Sequence, residues 1–159
     1  ELADQGVEED HLGAVDHGQR RARLGLLHRR HPEQVEVDPL SPAGILRLAA
    51  CYLQRHGWTQ GNLYQPGHPG PTPPACALGA INMAATGRAV NSAGSTPLVE
   101  ATEQALYDYL TRKLADPGGD PIEVITCWND HHAQHGGNVI TTLYDAAYAW
   151  TLANPGGVR

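Results

Sequence analysis

Among the chain's pairs of a short polar side chain and a following proline, three stand directly before a stretch of helical apolar spacing: Ser41-Pro42, Thr96-Pro97 and Asp120-Pro121. No other feature constrains the fold as much. A hydroxyl or carboxylate at the N-cap accepts one of the orphan N–H groups of a first helical turn, and proline next to it has φ preset and no N–H to lose. Each pair therefore predicts a helix start, and the residues after each start have helical spacing. After Pro42, the residues Ile45, Leu46, Leu48, Ala49, Tyr52 and Leu53 share one face, and Gly57 fits the position just past the end. After Pro97, Leu98, Val99, Ala105, Leu106, Tyr109, Leu110 and Leu114 form a second stripe, stopped by DPGG. After Pro121, Glu123 suits the partner position of a capping box, which favours a short helix through Cys127, although VITCW would also pass for a strand.

Two more helices fill the gaps. PACALGAINMAA, from about Pro74 to Ala85, is small and apolar on most sides, as a central helix must be, and Gly87 ends it. Asn138 is expected to cap a last helix that carries Val139, Ile140, Leu143, Tyr144, Ala147, Trp150 and Thr151 in register and closes at NPGG. Between the first two helices, WTQGNLY fits either a short strand or an ordered loop, and QPGHPGPTPP is dense enough in Pro and Gly to require an exposed, mobile loop. The fold class is thus mostly α, a small bundle of about four to five helices in a single domain over residues 41–159.

Residues 1–40 stand apart. They use only Leu, Pro, His, Gln, Arg, Val, Ala, Asp, Glu and Gly. All ten have codons that begin with G or C. The missing types make up roughly a third of the chain after residue 40, so a run of this length without one is expected by chance less than about once in a million. In a GC-rich gene the position held to G or C is the third base of a true codon. A start-site or frame artefact explains the pattern, and it implies a natural start near Val35, Val37 or Leu40. The rival is a low-complexity polar tail, equally unable to pack a core for want of aromatic residues and with valine as its one β-branched type. Both predict a disordered or marginally helical segment, and neither gives its histidines or arginines weight as site residues. Native peptides covering Glu1 to Arg30 would overturn the artefact reading.

CALGAINMAA at 76–85, the WTQG before it and CWND at 127–130 together resemble an uncharacterised family of small bacterial and phage proteins. Its outline is a helix ending in glycine and an aromatic, a Pro/Gly loop, a Cys-Ala-aliphatic-Gly-Ala helix, then an aromatic-Asn-Asp segment before a closing helix. The resemblance covers residues 41 to about 153 and leaves out the first forty. It implies a fold and no activity, cofactor or partner. Clustered histidines are not part of that outline, so HHAQH is particular to this chain.

Composition narrows the function classes. A formal charge of -6 argues against nucleic acid or an anionic membrane surface as partner, and no apolar run approaches the ~18 residues that span a bilayer. Cys51, Cys76 and Cys127 are odd in number and lack a CxxC pair, which suits free thiols in a reducing, cytoplasmic setting. Three functional readings compete. The preferred one is an accessory or partner-binding module for an unknown protein or small-molecule partner, with no cofactor; the sequence leaves its oligomeric state open. The second is a thiol-dependent hydrolase or transferase: Cys76 at a helix N-terminus as nucleophile, His131 or His132 (or His56 or His68) as base, and Asn129 or Asp130 orienting that base. The bland counterpart is a buried structural thiol, and it outweighs catalysis here because no motif fixes the histidine. The third is a zinc site at Cys127, His131 and His135, two histidines four apart on one helical face; Gly136 and Gly137 weaken it, because ligands need a rigid backbone, and a solvated loop is preferred. For Trp128, Asn129 and Asp130 the structural reading is again ahead: Trp128 in the core, Asn129 and Asp130 accepting backbone N–H groups. If a pocket exists, it is expected between WTQGN, the start of the Cys76 helix and CWND.

Overall fold

The computed structural model of the chain describes residues 38–93, 96–115 and 118–157. The expectations for residues 1–37 lie outside these. Five α-helices account for most of the described chain: α1 (Pro42–His56), α2 (Ala77–Thr86), α3 (Pro97–Leu114), α4 (Pro121–Cys127) and α5 (Gly136–Ala153). A single π-helical turn, Trp128–His132, continues α4, and a 3-10 turn, Pro155–Gly157, follows α5. Among the described residues there is no strand, only two isolated bridges that tie Ala75 to Trp58 and to Tyr64.

The three cap–proline pairs act as their chemistry dictates. Ser41 Oγ accepts from the Gly44 N–H, Thr96 Oγ1 from Val99, and Asp120 Oδ1 from both Ile122 and Glu123. At the other end of α1 the Gly57 N–H returns to the Leu53 carbonyl at 3.0 Å, with glycine taking a φ of 94°. Two starts differ from the sequence expectation. α2 begins at Ala77 rather than near Pro74, because Cys76 serves as the N-cap and its Sγ accepts the Gly79 N–H. α5 begins at Gly136, two residues before Asn138, with the extended backbone of His135 as its cap and no side-chain capping bond.

α1 packs against α2, α3 and α5; α3 also touches α2, α4 and α5; and α4 touches α2. The core is made of Ile45, Leu46, Ala49, Ala50 and Leu53 from α1, Leu78, Ala80 and Ile81 from α2, and Val99, Leu106 and Leu110 from α3. Ile125 of α4 and Val139, Leu143, Ala146 and Ala147 of α5 complete it. Each fully buried Leu or Ile contributes about 1.5–3 kcal/mol relative to exposure. α2 is the most enclosed helix: every residue from Ala77 to Met83 is buried. On α5 the buried stripe runs Val139, Thr142, Leu143, Ala146, Ala147, Thr151, so Tyr144, expected inside, stands at the surface with Tyr148.

The segment between α1 and α2 is an ordered loop, which resolves the strand-or-loop ambiguity of WTQGNLY. Ala75 donates to the Gly57 carbonyl at 3.2 Å, Thr59 donates to Ala75 at 3.1 Å, and Cys76 donates to Leu63 at 3.0 Å. The 58–64 stretch is thus folded back onto the residues that lead into α2.

Candidate functional site

The polar chemistry of the domain converges on the π-helical turn. Its Ala133 N–H reaches back to the Trp128 carbonyl at 2.9 Å, and the added residue in the turn accompanies inward placement of two successive side chains, Trp128 and Asn129, both buried. Asn129 uses its whole amide. Oδ1 accepts from Trp58 Nε1 at 2.9 Å and from the Ala77 N–H at 3.1 Å. Nδ2 donates to the Thr59 carbonyl at 3.3 Å and to Asp130 Oδ1 at 2.7 Å. Two acceptor sites and two donor hydrogens is the full capacity of that group. Around it, Gln60 Nε2 donates to the carbonyls of Asn129 and Asp130 at 3.2 and 3.1 Å, and the Gly61 N–H donates to Asp130 Oδ1 at 3.0 Å. One asparagine therefore joins the loop, the first residue of α2 and its own turn.

Cys76 sits against this seam and is buried. Burial pushes its thiol above the ordinary value, and the negative charge of Asp130 pushes the same way, while the N–H groups of Gly79 and Leu78 pull against them. The helix start is pressed close to the loop. A Cβ at Gly79 would lie 2.2 Å from the Leu63 carbonyl oxygen, so only glycine allows that approach.

A cavity of 330 Å³ opens between the loop, the start of α2 and α4. Leu63, Leu78, Ala93, Ile122 and Ile125 supply its apolar wall. Its polar boundary is formed by Asn62, Cys76, Thr126, Asn129 and Asp130, and no Lys, Arg or His among the described residues stands on it. On α2, Asn82 is completely buried: Nδ2 donates to the Ser92 carbonyl at 3.0 Å, and Oδ1 has no partner among the described residues.

The residues singled out in the sequence divide sharply. Asn129, Asp130 and Cys76 meet at the cavity. His131, His132 and His135 are all exposed, and His132 faces a separate groove with Lys113 and Gln134. His56 stacks on the Tyr52 ring at 4.6 Å between centroids, and His68 bonds within its own exposed loop to Gly70. None of the described histidines is therefore on the Cys76 wall. Cys127 is exposed, and among the described residues no three His, Cys, Asp or Glu side chains are grouped to hold a metal ion. Cys127, His131 and His135 do not converge. Sequence reasoning gave no role to Ile122, Ile125 or Ala93, because an apolar residue lining a cavity has the same signature as one in the core.

The chain belongs to a family of unknown function (DUF6197), whose sequence profile matches residues 37–149. That span holds the whole seam, from Trp58 to Asp130, and the cavity beside it. No curated relative and no solved structure matches the chain. Among the described residues no helix is long and apolar enough to cross a membrane.

Proposed function

We propose that the domain is a small binding module, and that the cavity beside the Asn129 seam is where its ligand or a partner's side chain is received. The cavity itself carries this reading. Its 330 Å³ lies at the small end of the range typical of ligand pockets, about 300–1,000 Å³. Its make-up follows the same rule, an apolar wall with a few polar groups whose positions are fixed. Here the fixing is done by the seam: Asn129 and Asp130 are held by bonds to Trp58, Thr59, Gly61 and Ala77 before anything binds.

Thiol catalysis is less well supported at the same place. A nucleophilic cysteine needs a lowered pKa or an adjacent base. Cys76 has burial and a carboxylate acting in the opposite direction, and among the described residues the wall carries no imidazole. Amide correlation spectra of the full chain, recorded with a set of small neutral aromatic and aliphatic fragments, test the binding reading. Shifts should centre on Gly61, Ala77 and Ile125, and Thr126→Phe, at an exposed position on the cavity edge, should remove them. Perturbations confined to the exposed side of α5, or fast alkylation of Cys76 in the folded protein near neutral pH, would overturn it.

A further inference from the structure

Resting on the cavity as a binding site, we propose that its ligand is an organic ammonium, a protonated amine on a compact apolar body, with the charge set on the Asp130 carboxylate. The apolar body would lie on Leu78, Ile122 and Ile125, which face the same space.

Three observations select a cation over an anion or a purely neutral ligand. First, among the described residues Asp130 is the one Asp or Glu on the cavity boundary, and no described Lys, Arg or His shares that boundary to neutralise it. Its Oδ1 is fixed by the Gly61 N–H and Asn129 Nδ2, which orients the group while leaving carboxylate acceptor capacity beyond those two bonds. Second, the start of α2, which would otherwise attract an anion, has its donors engaged by the protein. Ala77 N–H goes to Asn129 Oδ1 and Gly79 N–H to Cys76 Sγ, while Ala80 N–H closes on the Cys76 carbonyl at 2.9 Å. An anion entering here would meet a carboxylate and no spare donor from those three residues. Third, the adjoining groove, which shares Ala93 and Ile122 with the cavity, carries Glu100 and Asp120, and the chain as a whole is acidic. The local field thus favours a positive ligand on approach as well as when seated.

The test compares phenethylamine, phenethyl alcohol and phenylacetate as ligands of the full chain at neutral pH, by amide-shift titration. The three share an aromatic body and differ in charge. The amine should bind about ten-fold more tightly than the alcohol, the size of one charge-assisted hydrogen bond, and phenylacetate should not bind. Asp130→Asn keeps an oxygen for the Gly61 and Asn129 bonds while removing the charge. It should bring the amine down to the affinity of the alcohol. Added salt should weaken the amine alone in the unmodified chain, a readout that needs no variant. Equal affinities for amine and alcohol, or an amine affinity insensitive to both Asp130→Asn and salt, would overturn the ammonium assignment while leaving the cavity as a binding site. Preference for phenylacetate would do so as well. Binding of none of the three at the cavity would bring down the binding reading together with it.

Discussion

α1 and α5 pack against each other, and the side chains they bury are small or aliphatic: Ala49, Ala50 and Leu53 on one, Leu143, Ala146 and Ala147 on the other. At the Asn129 seam, by contrast, a single amide holds four partners through bonds of 2.7 to 3.3 Å. The first joint is non-directional and spread over many atoms, so its strength follows buried area. The second is directional and concentrated, so its strength depends on every partner being present. A domain of this size uses the first to hold its helices together and the second to fix the shape of one cavity. The two should fail differently.

The severest test lies at the start of α2, which the loop of the seam presses on. Gly79→Ala should cost about 4 kcal/mol in chemical denaturation, since the added Cβ meets backbone rather than a movable side chain; a loss under about 1 kcal/mol would show that the loop is not pressed onto α2. Next, Leu143→Ala should cost about 3 kcal/mol by leaving a void in the apolar joint, while the amide shifts of Gly61 and Ala77 at the seam stay near their original values. Asn129→Ala should cost about 2–3 kcal/mol, the penalty of leaving Trp58 Nε1 and the Ala77 N–H without an acceptor. It should also abolish ligand-induced shifts, which Leu143→Ala should not. Equal effects of both variants on the cavity would erase the distinction between the two regions.

The smallest effect is on pH dependence. Cys76 is raised in the fold, so as pH climbs past the ordinary thiol value of 9.0 the unfolded chain releases a proton that the folded one retains. Stability is complete below that value and falls above it. Tyr52 and Tyr64 are raised by burial and add a similar loss at higher pH. Comparing the unmodified chain with Cys76→Ala isolates the thiol: the variant's stability should decline less steeply between about pH 9 and 10. Parallel curves would place the sulfur in a more solvated setting.

The helices were readable because their signals are local. Ser41, Thr96 and Asp120 each cap the helix that begins at the next residue, and nothing distant competes with them. α2 and α5 were displaced by two or three residues where a distant group intervenes. The Ala77 N–H finds Asn129, 52 positions away, and Gly136 lies under Trp58, whose Cβ would be 3.0 Å from a Cβ at that glycine. The polar character of Asn129 and Asp130 was legible, but not their partners. No short-range pattern tells that a tryptophan 71 positions earlier donates to Asn129. The continuation of α4 into a π turn was equally hidden, because the turn is fixed by burial of both Trp128 and Asn129 rather than by any residue's own preference.

The separation between Trp58 and Asn129 also bears on what the cavity requires. Its walls come from the loop after α1, the start of α2 and the α4 region, segments far apart in sequence that meet only in the folded chain. Isolated helices, however well capped, offer no such hollow. A guest that needs all of these walls at once favours the folded chain over the unfolded one, so its occupancy adds to stability by mass action.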